Sequence, residues 1–457
     1  MNTGTIGARL DRLPATRSVR MLIGMLSLGM FFELYELLLT PCIAPGLVAD
    51  GILTTNTPGI FGTTGVASFI AALFLGLFIG TLTCGFLADR FGRRSIFTFA
   101  LLWYAAAATI MACQTTALGL NFWRFISGLG LGVEMMTIGA YLSELVPKQI
   151  RGRAFAVSLA IGYVAVPVAA FLSYLLVPHS PAGVSGWRWV VGIGAVGAVF
   201  VWWLRRVVPE SPRWLAQQGR LQEADQILGD LERRVTLEHG GPLPLIAPWQ
   251  PPVPERSKLR DLWVRPYGRR TLMLSVFHVF QTIGYYGFAS WVPTLLISQG
   301  ISVTNGLLYG TIIALAAPLG PLLFVFVADR FERKHVIVTM SAANIVCGLA
   351  FSQATDALAL TLLGAVISMA GGIISCAFHA YQQELFPTGI RARASGFVYS
   401  WSRISAVFNA FFVAYFLRRF GAPGVFLFIA AALSIVMLVI GAMGPRTRNM
   451  ALEELSA

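Results

Sequence analysis

Charge is what this sequence holds least of. Only 12% of its 457 residues are Asp, Glu, Lys or Arg, against 56% that are hydrophobic. That balance lies far from the one typical of soluble domains and excludes a chain whose surface is mostly in water. Acids are the scarcer sign, with 21 Asp and Glu against 34 Lys and Arg and a formal net charge of +13. Cysteine is rare too: Cys42, Cys84, Cys113, Cys347 and Cys376 are scattered without metal-ligand spacing, so they read as small core residues and not as a disulfide framework or thiolate site. No G-x-x-x-x-G-K-[ST] loop is present to bind ATP, which leaves ion gradients as the energy source. No nucleophile with its base, metal cluster or cofactor motif marks an enzyme, and no cofactor or metal is expected.

What the sequence has instead is long apolar runs. Segments of roughly 20 residues, the length that crosses a bilayer core as a helix, lie near 22–44, 64–87, 96–115, 119–142, 155–177, 188–207, 271–297, 307–328, 336–353, 357–382, 395–417 and 423–443. They predict an all-α membrane protein with twelve transmembrane helices, because soluble core helices seldom stay apolar on every face for so long. The first run is too long for the apolar region of a cleavable signal and contains acids, so no signal peptide is expected. Threading the runs alternately across a membrane puts 29 of the 34 Lys and Arg on one side. The positive-inside rule then predicts a multi-pass protein of the cytoplasmic (inner) membrane with both termini in the cytoplasm. The basic excess reads as topology and contact with anionic membrane lipids; nucleic-acid binding is not expected, since no separate basic domain exists to carry it.

The chain also repeats itself. "ADRFGRR" at 88–94 is echoed by "ADRFERK" at 328–334, and "ELVPKQIRGRA" from Glu144 by "ELFPTGIRARA" from Glu384, both at an offset of 240 residues. An equal offset at two separate places predicts duplicated six-helix bundles, residues 1–207 and 271–457, with a binding site between them. Residues 208–270 join the two as a cytoplasmic linker. In it, "SPRWLAQQGRLQEADQILGDLERRV" has the apolar spacing of one surface amphipathic helix, and the Pro-rich stretch that follows reads as an extended connector.

Ionisable groups inside apolar spans are costly, by roughly 2.5 to 3.5 kcal/mol each at mid-membrane even on low scales, and so are candidates for function. Glu33, Glu36, Arg124, Glu134, His278, His379 and Arg403 qualify. Glu33 and Glu36 are three residues apart and share one side of the first helix; two carboxyls there resist carrying two charges at once, which suits a proton carrier. Arg403, about ten residues into the eleventh helix, offers a planar fork to a carboxylate. Glu134 is either its partner or a second proton site. In the seventh helix Gln281, Tyr285 and Trp291 mix polar and aromatic surfaces around an expected break at Gly284 and Gly287. His278 reads equally as a titrating group or a satisfied core histidine, and His379 as part of a gate. Gly128, Gly130 and Gly132 lie inside an apolar helix, not after a strand, so close helix packing explains them better than a nucleotide loop.

Three motifs carry a family resemblance over nearly the whole chain. "GFLADRFGRR" (85–94) resembles the signature loop after the second helix of the major facilitator superfamily. "RFISGLGLG" (124–132) and "PESPRWL" (209–215) resemble elements shared by its sugar porters, organic-cation carriers and aromatic-acid symporters. "ELYE" (33–36) is similar to the D-G-x-D of the aromatic-acid/proton symporters, with Glu for both Asp and Leu34 for glycine. "RASGFVYSWSRISAV" (393–407) resembles their arginine-containing R-A-T-G…G-R-I-G-A-I.

The resemblance implies the major facilitator fold and a monomeric secondary transporter that takes up a small organic anion, an aromatic or hydroxy acid, with protons by alternating access. The alternatives are sugar or polyol symport, export of a metabolite or drug, and, outside transport, a ligand receptor. It further implies that Glu36 aligns with the acid common to both symporter patterns and that Arg124, on the neighbouring fourth helix, pairs with it. Substrate contacts are then expected from Arg403, Gln281, Tyr285, Glu134, Trp401 and Tyr35. Asp89, Arg93, Glu144 and Arg151, with Asp329, Arg333, Glu384 and Arg391, sit at cytoplasmic helix ends, where ion pairing within or between bundles is expected to stabilise the outward-open state.

Overall fold

A computed structural model describes residues 3–54, 57, 65–147, 149–204, 208–246, 259–264, 267–327, 330–386 and 388–447. Its elements in chain order are α1 (Thr3–Asp11), α2 (Arg17–Leu37), α3 (Leu39–Ala49), α4 (Val66–Phe91), α5 (Arg93–Ala112), α6 (Ala117–Leu145), α7 (Arg151–Tyr163), α8 (Ala165–Leu176) and α9 (Gly186–Leu204). They continue with α10 (Pro212–Gln217), α11 (Leu221–His239), α12 (Tyr267–Ala289), α13 (Val292–Ser298), α14 (Val303–Leu315), α15 (Leu319–Val327), α16 (Arg333–Gln353), α17 (Ala357–Glu384) and α18 (Thr388–Met443). Helix therefore underlies each of the twelve expected segments. Among the described residues, eight helical stretches are long and apolar enough to cross a membrane. The last of these runs through a kink at Gly421, whose φ of +67° no β-carbon tolerates easily and which divides α18 in two.

Proline sets the interruptions. A proline gives no N–H to the carbonyl four residues earlier, and Pro41, Pro167 and Pro293 each fall four residues after the last residue of α2, α7 and α12. Pro318 likewise lies in the gap between α14 and α15. The seventh helix thus breaks at residues 290–291 and not at the glycines expected to bend it. Gly284 and Gly287 are instead points of close approach, where a β-carbon would press on Leu433 and Ile429 of α18.

Glycine also explains the tight crossing of α4 and α6. A β-carbon on Gly76 or Gly80 would overlap the carbonyl oxygens of Phe125 and Leu129, and one on Gly128 or Gly132 those of Leu73 and Leu77. Two small-x-x-x-small stripes face each other backbone to backbone. Gly130 faces the Trp103 ring of α5.

Within residues 17–204, α4, α5 and α6 pack together, α2 lies on α7 and α5 on α9; within 267–443, α12 and α16 lie on α18 and α17 on α15 and α16. Between these sets, α3 meets α13, α8 meets α14, α7 meets α15 and α4 meets α18. Both ends of the described chain lie on one face. Asp11 pairs with Arg213 at 2.7 Å and Arg151 at 3.5 Å, and Thr447 donates its backbone N–H to Glu332 at 2.9 Å.

The linker carries two helices where one was expected. Gly219, at φ +78°, ends α10 before α11 begins. α11 is docked onto α1: Arg9 reaches Asp225 at 2.5 Å and Glu232 at 2.7 Å, and Arg12 reaches Glu232 at 2.8 Å. Glu210 of the "PESPRWL" motif accepts from the backbone N–H of Arg94 at 3.0 Å, capping the start of α5 just after Gly92, whose φ is +97°. The connector residues 247–258 lie outside the described residues.

Candidate functional site

The opening helix places both of its acids in the interior, with Glu33 2% and Glu36 5% exposed. Glu36 sits in a polar nest. Its Oε1 accepts from Arg124 Nη1 at 2.6 Å and from Ser127 Oγ at 2.9 Å. The other Arg124 nitrogen, Nη2, donates to the Glu36 backbone carbonyl and to Thr40 Oγ1, both at 2.9 Å, so one guanidinium spans the interruption between α2 and α3. Arg124 is fully buried and lies over the Phe69 ring at 5.2 Å. These bonds offset the cost of burying the charge pair so deep, and Arg124 Nε is the one guanidinium nitrogen left without a partner.

Arg403 of α18 is 3% exposed and differently held. Its Nη2 donates to the Tyr399 hydroxyl at 2.9 Å, its guanidinium lies 4.7 Å from that ring, and it reaches Met135 Sδ of α6 at 3.2 Å. Glu33 and Tyr286 are within its electrostatic reach. Arg403 forms no ion pair among the described residues. The structure thus brings Glu33 within reach of Arg403, which meets α6 at Met135, while Glu36 pairs with Arg124 eleven residues earlier on α6, about 16 Å away by helical rise; Glu134 is fully buried one residue before Met135.

The remaining expected residues scatter. The Tyr35 hydroxyl donates to the Val190 carbonyl at 2.8 Å and its ring packs on Gly194, which commits it to α9. Trp401, two positions before Arg403 and so about 200° around the helix, is 39% exposed and meets Phe397 edge-on. Gln281 is buried on α12. His278 is fully buried: its Nε2 shares a 2.7 Å hydrogen bond with Gln382, its Nδ1 is buried without a partner, and the ring is enclosed by Phe277, Phe378 and Tyr399. His379 bonds the Ser375 carbonyl at 2.7 Å and stacks on Phe378.

Tyr285 lines a cavity of about 80 Å³ enclosed by α3, α7 and α8 on one side and by α12 to α14, α16 and α17 on the other. Its hydroxyl donates to that of Tyr163 at 3.4 Å across the two sets. Phe288, Val292 and Ile313 make the walls, and Cys42, Asn344 and Ser368 add polar atoms. Sequence reasoning missed Tyr163, Asn344 and Ser368. Each is an ordinary residue within an apolar helix, and only the meeting of helices distant in sequence marks them.

At the face carrying the chain ends, the repeat becomes geometry. Arg93 pairs with Glu144 at 3.0 Å, and their counterparts 240 residues later, Arg333 and Glu384, pair at 3.0 Å. Both pairs join helix ends within one set, so they do not bridge the two. Arg151 turns to Asp11. Asp329 and the side chains of Asp89 and Arg391 lie outside the described residues.

Comparison with known proteins agrees with this geometry. The family model described as sugar (and other) transporter matches residues 53–457. The putative metabolite transport protein YyaJ of Bacillus subtilis (strain 168) is 32% identical over 443 residues, covering 96% of this chain and 95% of its own. The niacin transporter NiaP of Acinetobacter baylyi is 29% identical, covering 98% and 99%. Among solved structures, the inward-open xylose transporter XylE from E. coli superposes with a TM-score of 0.72 at 18% identity, over 96% of this chain and 99% of that one. That likeness concerns the fold.

Proposed function

Since the chain belongs to the sugar (and other) transporter family, whose members move metabolites across membranes, we propose that it takes up a small organic anion, an aromatic or hydroxy acid, together with protons. The observation that carries this reading is Arg403, a buried guanidinium without an ion-pair partner among the described residues, placed between helices of the two halves. Glu33 offsets this charge only through space, and a buried cation without a hydrogen-bonded ion pair costs several kcal/mol. An incoming carboxylate offsets that cost and receives a bidentate fork. The niacin carried by one relative is an aromatic carboxylate of this kind.

Coupling follows from the second arginine. Protonation of Glu36 removes the charge that Arg124 and Ser127 hold, weakening the tie between α6 and the junction of α2 with α3. Residues 1–207 and 271–457 then rock as bundles about the site, with residues 208–270 as the cytoplasmic linker and the chain ends in the cytoplasm. Sugar symport is the second reading, favoured by the solved xylose transporters of the same fold.

The test is uptake into proteoliposomes under an imposed pH gradient. Nicotinate or another aromatic acid should accumulate and carry protons inward, and xylose should not. Arg403→Ala should weaken anion uptake at least about tenfold, the worth of a charged hydrogen-bonding partner, while Arg403→Lys keeps charge and recovers part of it. Wild-type affinity in Arg403→Ala would sink the assignment.

A further inference from the structure

The cavity beside Tyr285 contains one group that neither the coupling pair nor the anion site uses. Asn344 lies midway along α16, a helix whose main packing is against α17 and α18, away from the junction of the two halves. Even so it lines the cavity. Glycine gives it access: Gly310 of α14 and Gly371 of α17 form part of the lining, and their nearest neighbours, Pro293 and the Tyr285 ring, stand 3.5 and 3.4 Å from where a β-carbon would be.

The Asn344 Oδ1 is buried without a hydrogen-bond partner, and a half-turn of the amide, whose oxygen and nitrogen ends are nearly the same shape, presents the donating Nδ2 to the same space, so the group can meet a ring donor or a ring acceptor. A side-chain amide has two donors and an acceptor to satisfy, and leaving them unmet against apolar walls is costly. Ser368 of α17 lines the same cavity, and the rest of the surface is mostly hydrocarbon and aromatic. Tyr163 and Tyr285 turn their hydroxyls to each other. An apolar slot with one amide and one hydroxyl is a complement to a flat ring carrying a single polar edge atom.

Size fits a site that opens and closes. The cavity measures about 80 Å³, roughly half of the 150 Å³ at which a protein cavity accepts benzene. Its walls include α3 and α8 on one side and α13 and α14 on the other, and α3 with α13 and α8 with α14 are pairs that meet between the two sets. Parting the sets widens it, and closing them presses the walls onto whatever ring has entered.

We propose that this cavity is the ring-recognition pocket and that Asn344, with Ser368 beside it, reads a hydrogen-bonding atom on the ring. The inference rests on the organic-anion reading and narrows the substrate class to heteroaromatic or hydroxylated aromatic acids. A site built to hydrogen-bond one ring atom rejects the analogue that lacks it far more strongly than an apolar pocket rejects a changed shape.

Nicotinate and benzoate have the same charge and nearly the same shape, and differ by a ring nitrogen in place of C–H. In full-length protein reconstituted in vesicles, nicotinate should be preferred in competition uptake by roughly tenfold or more. Asn344→Leu should erase that preference by weakening nicotinate while leaving benzoate within about twofold. Thermal unfolding of the detergent-solubilised variant checks its fold, and Asn344→Ala supplies the same comparison if the leucine is not accommodated. Equal use of the two acids by the unaltered protein, or an unchanged preference in the folded variants, overturns the ring-recognition proposal alone. Failure of both acids to be transported or to compete overturns the organic-anion reading beneath it.

Discussion

Among the described ion pairs Glu36–Arg124 is the most deeply buried, and its two residues behave differently under substitution. Glu36→Gln keeps the size and much of the hydrogen bonding to Arg124 and Ser127 but fixes the group in a neutral state. The expected outcome is a protein that binds and exchanges substrate yet no longer concentrates it. A gradient of one pH unit is worth about 1.4 kcal/mol per proton, or tenfold accumulation, and the variant should fall to simple equilibration in the same vesicles. Pumping at the wild-type ratio would remove Glu36 from the coupling step. Arg124→Ala strands a carboxyl in the interior and should cost about 3 to 5 kcal/mol of stability, read as a large drop in the thermal unfolding midpoint. How legible such residues were depended on their rarity. Glu33, Glu36, Arg124 and Arg403 stand out because a charge within an apolar run has no structural default. Tyr35 and Trp401 were less legible, because one residue of helical rotation turns a side chain about 100°: Tyr35 bonds α9, and Trp401 lies about 200° around the helix from Arg403.

Helices were the easiest elements to place, since each expected run recurs as helix, but their interruptions obeyed proline and not glycine. The rule lay in the sequence at Pro41, Pro167 and Pro293; the glycines of "GYYGF" concealed it, because glycine inside a membrane helix serves packing as readily as bending. Gly128 illustrates the packing use. Gly128→Ala drives a methyl into the backbone of α4, and overpacking of that kind costs roughly 1 to 3 kcal/mol, so the variant should unfold at a lower temperature than Gly139→Ala, where no atom lies within 4 Å of the new carbon. Equal midpoints would refute the close crossing. The docking of α1 onto α11 escaped the sequence because its ion pairs join residues more than 200 positions apart. Burial opposes the charge of Glu232, but hydrogen bonds from Arg9 and Arg12 outweigh it and hold the carboxyl below the usual range, and Glu232 in turn raises Arg9 further. A carboxyl whose folded value is depressed contributes fully above the ordinary glutamate range and loses its contribution as pH falls through the lower, folded value. A spin label on α1 should therefore stay immobile from neutral pH down to that range and loosen only below it, while Arg9→Ala loosens it at neutral pH. Loosening near neutrality in the unaltered protein would refute this account of the clasp.

At the scale of the molecule, the two sets of helices meet most tellingly at the end away from the chain termini. There α3 lies on α13 and α8 on α14, and all four follow a proline-associated break or precede one. Short helical pieces beyond an interruption can tilt without disturbing the helix behind them, which suits them as a closing layer. The pairs Arg93–Glu144 and Arg333–Glu384 are formed in this same arrangement. Because each binds one half to itself, they fit rigid rocking units better than a lock peculiar to one state. A bulky group in the closing layer should then hold it apart. Gly310 lines the cavity between α14 and α13, and an indole in its place exceeds what about 80 Å³ can admit. Gly310→Trp should stop uptake altogether, leave Glu36, Arg124 and Arg403 undisturbed, and lengthen spin-label distances between α8 and α14 relative to the unaltered protein. Labels on α5 and α9, which pack within one half, should keep their separation. If transport continues, or if the within-half distance lengthens as much as the one between halves, the end away from the termini is not a gate moved by two rigid bodies.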